Sequence, residues 1–342
     1  MRRHLTTRWP ALTAAPHLFF LIPELLIAAG PLVIGAITDS SGRRRFRMPD
    51  FFYGGQALIE GVMMRGRTTV AMSVRPPSGE IVTMSEPLPA ALSANRRLIK
   101  IPFLRGMFVL YETLVIGTRM LMRSASIAAE GEDVELGKGT IALTMVFSIG
   151  FAIGLFFLLP LFLSTFAESA TDSDLVANAI EGLIRLVIFV AYIAAIGMMS
   201  DIRRVFAYHG AEHMTIHAFE HGDPLTAERI RPYPTAHPRC GTAFLLLVVV
   251  IAIAIFAFLP RVNIFVDLIT RLLLVIPVAS ISYEALRLGA AHERSPIMRL
   301  LVLPGLLLQR VTTRRPDDRM IEIAVASLEE AIAGDREAEA AA

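Results

Sequence analysis

The chain has 342 residues, 54% of them hydrophobic and 19% charged, with a mean hydropathy of +0.57. A soluble domain of this length is normally less apolar and more charged, and here the excess falls in blocks, which points to membrane spans. A net charge of +2 is too small to argue for nucleic acid, and a single cysteine excludes an internal disulfide.

Residues 1–50 form an N-terminal extension. Its apolar run, 17–38, is broken by Pro23, Glu24 and Pro31 and followed by Arg43, Arg44, Arg45 and Arg47. Two readings stay open: an extra membrane anchor, or a loosely ordered extension upstream of the true start.

Residues 51–139 read as a cytoplasmic glycine-rich β-element followed by an interfacial helix. Gly54, Gly55, Gly61 and Gly66 mark tight turns or close approaches. Val70–Val74 and Ile81–Met84 read as strands joined through Pro76-Pro77-Ser78-Gly79. The glycines are not a phosphate loop, because no G-K-[ST] ending follows. Pro102 to Met122 is apolar apart from Arg105, Glu112 and Arg119, which share one helix face. An interfacial helix with its charges outward is the preferred reading. A buried helix whose charges meet Arg185 or Asp267 is the other.

Four apolar runs are long enough to cross a bilayer core of about 20 helical residues: 140–166, 182–199, 242–259 and 264–283. Arg185 interrupts the second. Asp267 and Arg271 lie four apart in the fourth and can pair. Residues 167–181 carry acidic groups and no Lys or Arg, whereas the loop 200–241 and the segment 285–342 are rich in arginine. The positive-inside rule therefore places both flanking regions and the loop 200–241 in the cytoplasm. Leu300 to Leu308 is too short to span and is expected to dock at the inner surface. Asp317 to Ile332 has helical apolar spacing with Asp317 or Asp318 as cap, and 334–342 is expected to be disordered.

The loop 200–241 carries the chemistry. His209 to His213 reads H-x-x-E-H, and His217, Glu220, His221, His237 and Cys240 follow. If Asp201 to His221 continues the second span as a helix, His209 and His213 lie one turn apart on one face with Glu212 beside them. In such motifs the histidines bind metal and the glutamate activates water. A catalytic zinc needs a third protein ligand. Glu220 shares the face but lies about 16 Å along the helix, so it is set aside. His237 and Cys240 rank ahead of Glu284. The non-catalytic alternative is a solvated helix end, in which these side chains cap carbonyls or pair with Arg203 and Arg204.

Several separated motifs carry a resemblance. They are Tyr53-Gly54-Gly55-Gln56-Ala57, Glu60-Gly61-Val62-Met63, Ile101 to Gly106, Tyr208 to His213, His237-Pro238-Arg239-Cys240-Gly241, Ser282-Tyr283-Glu284 and Pro304-Gly305-Leu306. In this order they resemble the YqhQ family of bacterial membrane proteins, over roughly Phe51 to Ile332. The resemblance implies a multi-pass protein of the bacterial inner membrane and a metal-dependent enzyme. His217 and His221 fall outside its motifs.

The expected fold is therefore mainly α: a polytopic membrane protein with about four core transmembrane helices (140–199 and 242–284) and a small cytoplasmic β-element. The expected function is a zinc-type, metal-dependent membrane hydrolase. His209 and His213 bind the metal, Glu212 is the base, and His237 or Cys240 completes the site. The alternative is a non-enzymatic assembly or scaffold factor that binds another membrane protein, with a structural metal or none. A transporter is disfavoured by the few polar residues in the spans and the lack of an evident internal repeat. The lipid bilayer is the expected partner.

Overall fold

The structure is a computed structural model that describes residues 51–88, 101–129, 138–168, 171, 173–291 and 296–341. The apolar run at 17–38 lies outside the described residues.

The fold is mainly helical, with a small four-stranded sheet near the N-terminus. The strands β1 (Gly54–Leu58), β2 (Gly61–Arg65), β3 (Thr69–Val74) and β4 (Val82–Pro87) form an antiparallel meander in sequence order. The expected β3–β4 hairpin is present, with Gly79 at φ 93° in its connection. The glycine-rich stretch before it is itself two strands. One face of the sheet places Val62, Met64 and Ala71 against Ala207, Tyr208, Ala211, Ile323 and Leu328. The other places Leu58, Met63, Val70 and Met72 against Ile116 and Met120. A sheet apolar on both faces shows no period-two alternation, which is why β2 does not read as a strand.

Helix α1 (Leu104–Ala128) covers the second face. Its charged stripe departs from the outward orientation expected for it. Glu112 is buried against Arg65 at 2.9 Å, Arg105 pairs with Glu284, and Arg119 reaches Glu86 at 3.1 Å. Neither Arg185 nor Asp267 is among these partners.

The helical part comprises α2 (Lys138–Ile153), a π-helical segment (Gly154–Leu158), α3 (Leu159–Glu168), α4 (Asp174–Ile196), α5 (Ser200–His221), α6 (Ala227–Ile230), α7 (Gly241–Phe256), α8 (Ile264–Ala291), α9 (Pro296–Thr312) and α10 (Asp318–Ala340). Among the described residues, three segments are long and apolar enough to cross a membrane: Ala142–Phe166, Asp174–Ile196 and Ile264–Gly289. The expected third span is the shorter helix α7, of 16 residues. The expected second span begins earlier, at Asp174, so Glu181 belongs to a helix rather than to an acidic loop. That matters for charge balance. Arg271 is 1% exposed and takes Glu181 at 2.7 and 2.8 Å as its main partner, with Asp267 at 4.0 Å. Arg185 and Arg261 also converge on Glu181.

Helix α9 runs unbroken through Pro304. Gly305 lets it approach α7, since a β-carbon would lie 2.4 Å from that of Ala243. Helix α10 is capped by Asp317, whose carboxylate accepts from Met320 N–H at 2.9 Å. It continues to Ala340, where disorder was expected. The reason is Asp335, which is buried and accepts the backbone N–H groups of Arg67, Thr68 and Thr69 at 2.7, 2.8 and 3.1 Å.

Candidate metal centre

Helix α5 is a separate helix, not a continuation of α4. The chain breaks at residues 197–199 and restarts at Ser200. It ends where Gly222 adopts the left-handed conformation, φ 71°, as glycine allows at a helix C-terminus. One face of α5 carries Ala207, Tyr208 and Ala211 into the core shared with the sheet and α10. Gly210 touches the chain after α9 so closely that a β-carbon would lie 2.0 Å from the Arg314 carbonyl oxygen. Arg314 N–H donates to the Phe206 carbonyl at 2.8 Å in the same contact.

This docking orients both histidines. Nδ1 of His209 lies 3.0 Å from the carbonyl oxygen of Thr312, and Nδ1 of His213 lies 2.6 Å from that of Thr235. A carbonyl can only accept, so each Nδ1 carries a hydrogen, and in the tautomer this fixes the lone pair falls on Nε2. Nε2 of His209 faces Cys240 Sγ at 3.1 Å. Donor atoms of His209, His213 and Cys240 all lie within 4.8 Å of one another. Tetrahedral zinc with N and S ligands puts donors about 3.3–3.8 Å apart, so the cluster needs only small movements to close on an ion. Carbonyl-oriented histidines are the usual outer support of a metal site.

Cys240 is placed by two devices. It caps α7, its sulfur accepting from Thr242 N–H at 3.4 Å. Gln309 of α9, fully buried, clamps the preceding loop: its Oε1 accepts from His237 N–H at 2.7 Å, and its Nε2 donates to the His237 carbonyl at 3.0 Å.

Glu212 is buried beside the cluster, its Oε2 3.4 Å from His213 Nε2. Burial pushes its carboxyl above the usual range, against the opposing pull of His209 and His237 and of a hydrogen bond from Gly55 N–H. Gly55 is bare where Glu212 packs, since a β-carbon there would lie 3.0 Å from its Cγ. Burial also holds the His213 imidazole below its usual value, so the ring stays neutral and able to ligate.

His237 does not join the three donors. Its Nε2 faces Glu220 at 3.4 Å, and its Nδ1 accepts from Arg239 N–H at 3.3 Å. Its ring lies nearest that of His217, tilted at 4.5 Å between centroids, with His213 at 5.7 Å. Glu220 pairs with Arg239 and His237, and these outweigh burial to keep its carboxyl below the usual range. Glu284 pairs with Arg105, away from the cluster. His217 bonds the Ala236 carbonyl at 2.9 Å. Gly55, read from the sequence as a turn or close approach, is such an approach; the supports that sequence reading missed are Gln309 and the carbonyls of Thr235 and Thr312. The carbonyls leave no side-chain signature at all.

Fold and cluster together define a helical protein with bilayer-length helices and a candidate His/His/Cys metal centre. The chain belongs to the family described as Protein of unknown function (DUF1385), whose model matches residues 101–334. It is 32% identical over 292 residues to the Uncharacterized protein YqhQ of Bacillus subtilis (strain 168), covering 81% of this chain and 91% of that protein. This agrees with the YqhQ resemblance of the motifs. No solved structure matches it.

Proposed function

We propose that the chain is a metal-dependent membrane enzyme of the hydrolase type, with zinc held by His209, His213 and Cys240. The observation that carries this reading is the convergence of two carbonyl-fixed Nε2 lone pairs with Cys240 Sγ. Zinc so held supplies Lewis-acid polarisation and a more acidic bound water. Glu212 is the proton acceptor: a carboxyl raised by burial is matched to base chemistry nearer neutral pH. His237 and Glu220 form an adjoining polar pair that steadies the loop bearing Cys240. In this reading α2–α3, α4, α7 and α8 cross the bacterial inner membrane, α7 with the turn that follows it. The arginine-rich loop 200–241 and the C-terminal segment face the cytoplasm.

A second reading is supported by burial. Glu212, His213 and Cys240 are 5%, 2% and 6% exposed. With Glu212 as fourth ligand, a closed structural site results, suited to an assembly factor that engages another membrane protein.

The test begins with elemental analysis of full-length protein purified without an affinity tag. Absence of a stoichiometric transition metal overturns both metal readings. With metal present, Glu212→Gln is compared with His213→Ala. The enzyme retains metal in the first variant and loses turnover in a hydrolase substrate screen. A structural site loses metal and thermal stability in both.

A further inference from the structure

We propose that α1 is an interfacial membrane anchor, lying along the headgroup–acyl boundary with its outward face in lipid. This rests on the reading of α2–α3, α4 and α8 as spans.

The outward face of α1 is a continuous apolar stripe. Leu104, Met107, Phe108, Tyr111, Leu114 and Val115 are all exposed, Tyr111 and Leu114 at 68% and 69%. The same stripe runs on through Thr118 to Leu121 and Met122. At 100° per residue these positions fall within an arc of roughly 140°, along about 27 Å of helix. No charged residue lies inside that arc. Arg105, Glu112, Arg119 and Arg123 all lie on one border of it, where they meet Glu284, Arg65 and Glu86. A helix on a water-facing domain turns its charges out and its apolar face in. This helix sends its charges to protein partners and presents the apolar face outward.

Three observations select lipid as the occupant. The first is continuity. The Ser280 hydroxyl donates to the Phe103 carbonyl, Glu284 pairs with Arg105, and Gly106 packs on Tyr283. The start of α1 is thereby joined to the later part of the candidate span in α8. The second is shared character: Leu143, Val146 and Phe147 on the first candidate span are exposed at 69–73%, much as Tyr111 and Leu114 are. The third is the rim. A protein–protein patch is edged by polar groups on all sides. Here the polar edge is one-sided, and Arg119 and Arg123, about half exposed, sit where long basic side chains snorkel toward water. The other end of α1 is fastened to the sheet through Ile116 and Met120. The helix therefore runs from the spans out under the sheet, which fits the boundary and not a transmembrane path.

The experiment uses full-length protein with Trp9→Phe, which removes the chain's one tryptophan. Single tryptophans are then placed by Leu114→Trp, Phe108→Trp, Val146→Trp or Met84→Trp. Each protein is reconstituted into phosphatidylcholine–phosphatidylglycerol vesicles carrying bromine near the ester end or near the methyl end of the acyl chain. The expected result is loss of fluorescence for both α1 positions, greatest with bromine near the ester end. Val146→Trp, on the first candidate span, is quenched as well, and Met84→Trp on β4 keeps its fluorescence. If Val146→Trp also keeps its fluorescence, the membrane reading itself fails. If Val146→Trp is quenched while both α1 positions keep theirs, the α1 anchor is overturned and the stripe belongs to water, a second copy or another protein. Quenching of α1 greatest near the methyl end overturns the boundary placement.

Discussion

His213 and Thr235 meet across 22 residues of chain, ring Nδ1 to carbonyl oxygen at 2.6 Å. That bond decides which nitrogen of His213 is free, and it depends on where the loop from Thr235 to Cys240 is held. The holder is Gln309, whose amide both accepts from and donates to the backbone of His237.

Gln309→Ala is therefore expected to act at a distance from the donors. Two buried backbone groups lose their partner, at a cost of about 1–3 kcal/mol. Metal affinity is expected to fall roughly 10- to 100-fold, as for other outer supports. Competition with a chelator in the purified protein measures the second effect, and thermal unfolding in detergent the first. Unchanged affinity alongside reduced stability would show that the loop position is immaterial to the donors.

Acid is expected to destabilise the metal-free protein. Burial holds His217 and His237 below the ordinary imidazole value of about 6.5. The unfolded chain then binds protons first as pH falls, so stability is full above that value and is lost as pH drops through the lower folded values. Thermal midpoints of chelator-treated protein between neutrality and mild acid test this. His217→Phe should flatten the slope, and a slope unaffected by it would remove His217 from the account.

Asp335→Ala leaves the N–H groups of Arg67, Thr68 and Thr69 without an acceptor and is expected to cost about 2–3 kcal/mol. Its hydrogen bonds and neighbouring N–H groups outweigh burial and hold the carboxyl below its usual range. Its contribution is present at neutral pH and disappears as pH falls below the ordinary carboxylate value of about 3.9. Asp335→Asn, which keeps one acceptor, should recover part of the loss at neutral pH. Equal unfolding midpoints for Asp335→Ala and the parent would count against the whole arrangement.

Glu181→Ala strips the shared carboxylate from Arg185, Arg261 and Arg271. Removing one side of a buried charge cluster costs about 3–5 kcal/mol. The expected outcome is poor accumulation of folded protein, with Arg271→Met in the same chain restoring part of it. Size-exclusion behaviour in detergent reads both, and failure of the second substitution to help would place the damage elsewhere.

Local periodicity made the site helix legible: His209, Glu212 and His213 declare themselves by spacing, and Cys240 by its donor chemistry. Asp317 was legible as a cap because capping needs a side-chain oxygen at one position. What stayed hidden was long-range. The partners of Arg105, Glu112 and Arg119 come from β2, β4 and α8, so the helix alone could not say which way its charges turn. Glu181 looked like part of an acidic loop because its arginine partners lie as far as ninety residues on. Backbone carbonyls at Thr235 and Thr312 would serve with other side chains in their place.

The bond from Asp335 to the turn at 67–69 also sets an order of assembly. The sheet leaves the ribosome early, yet the helix that covers Val62, Met64 and Ala71 follows all the candidate spans in the chain. Helix α5 packs against both, so the helix that carries His209 and His213 cannot reach its final packing until the C-terminal helix has been synthesised. A chain stopped after the candidate spans would have its hydrophobic helices complete and the helix of the candidate metal centre still without a roof.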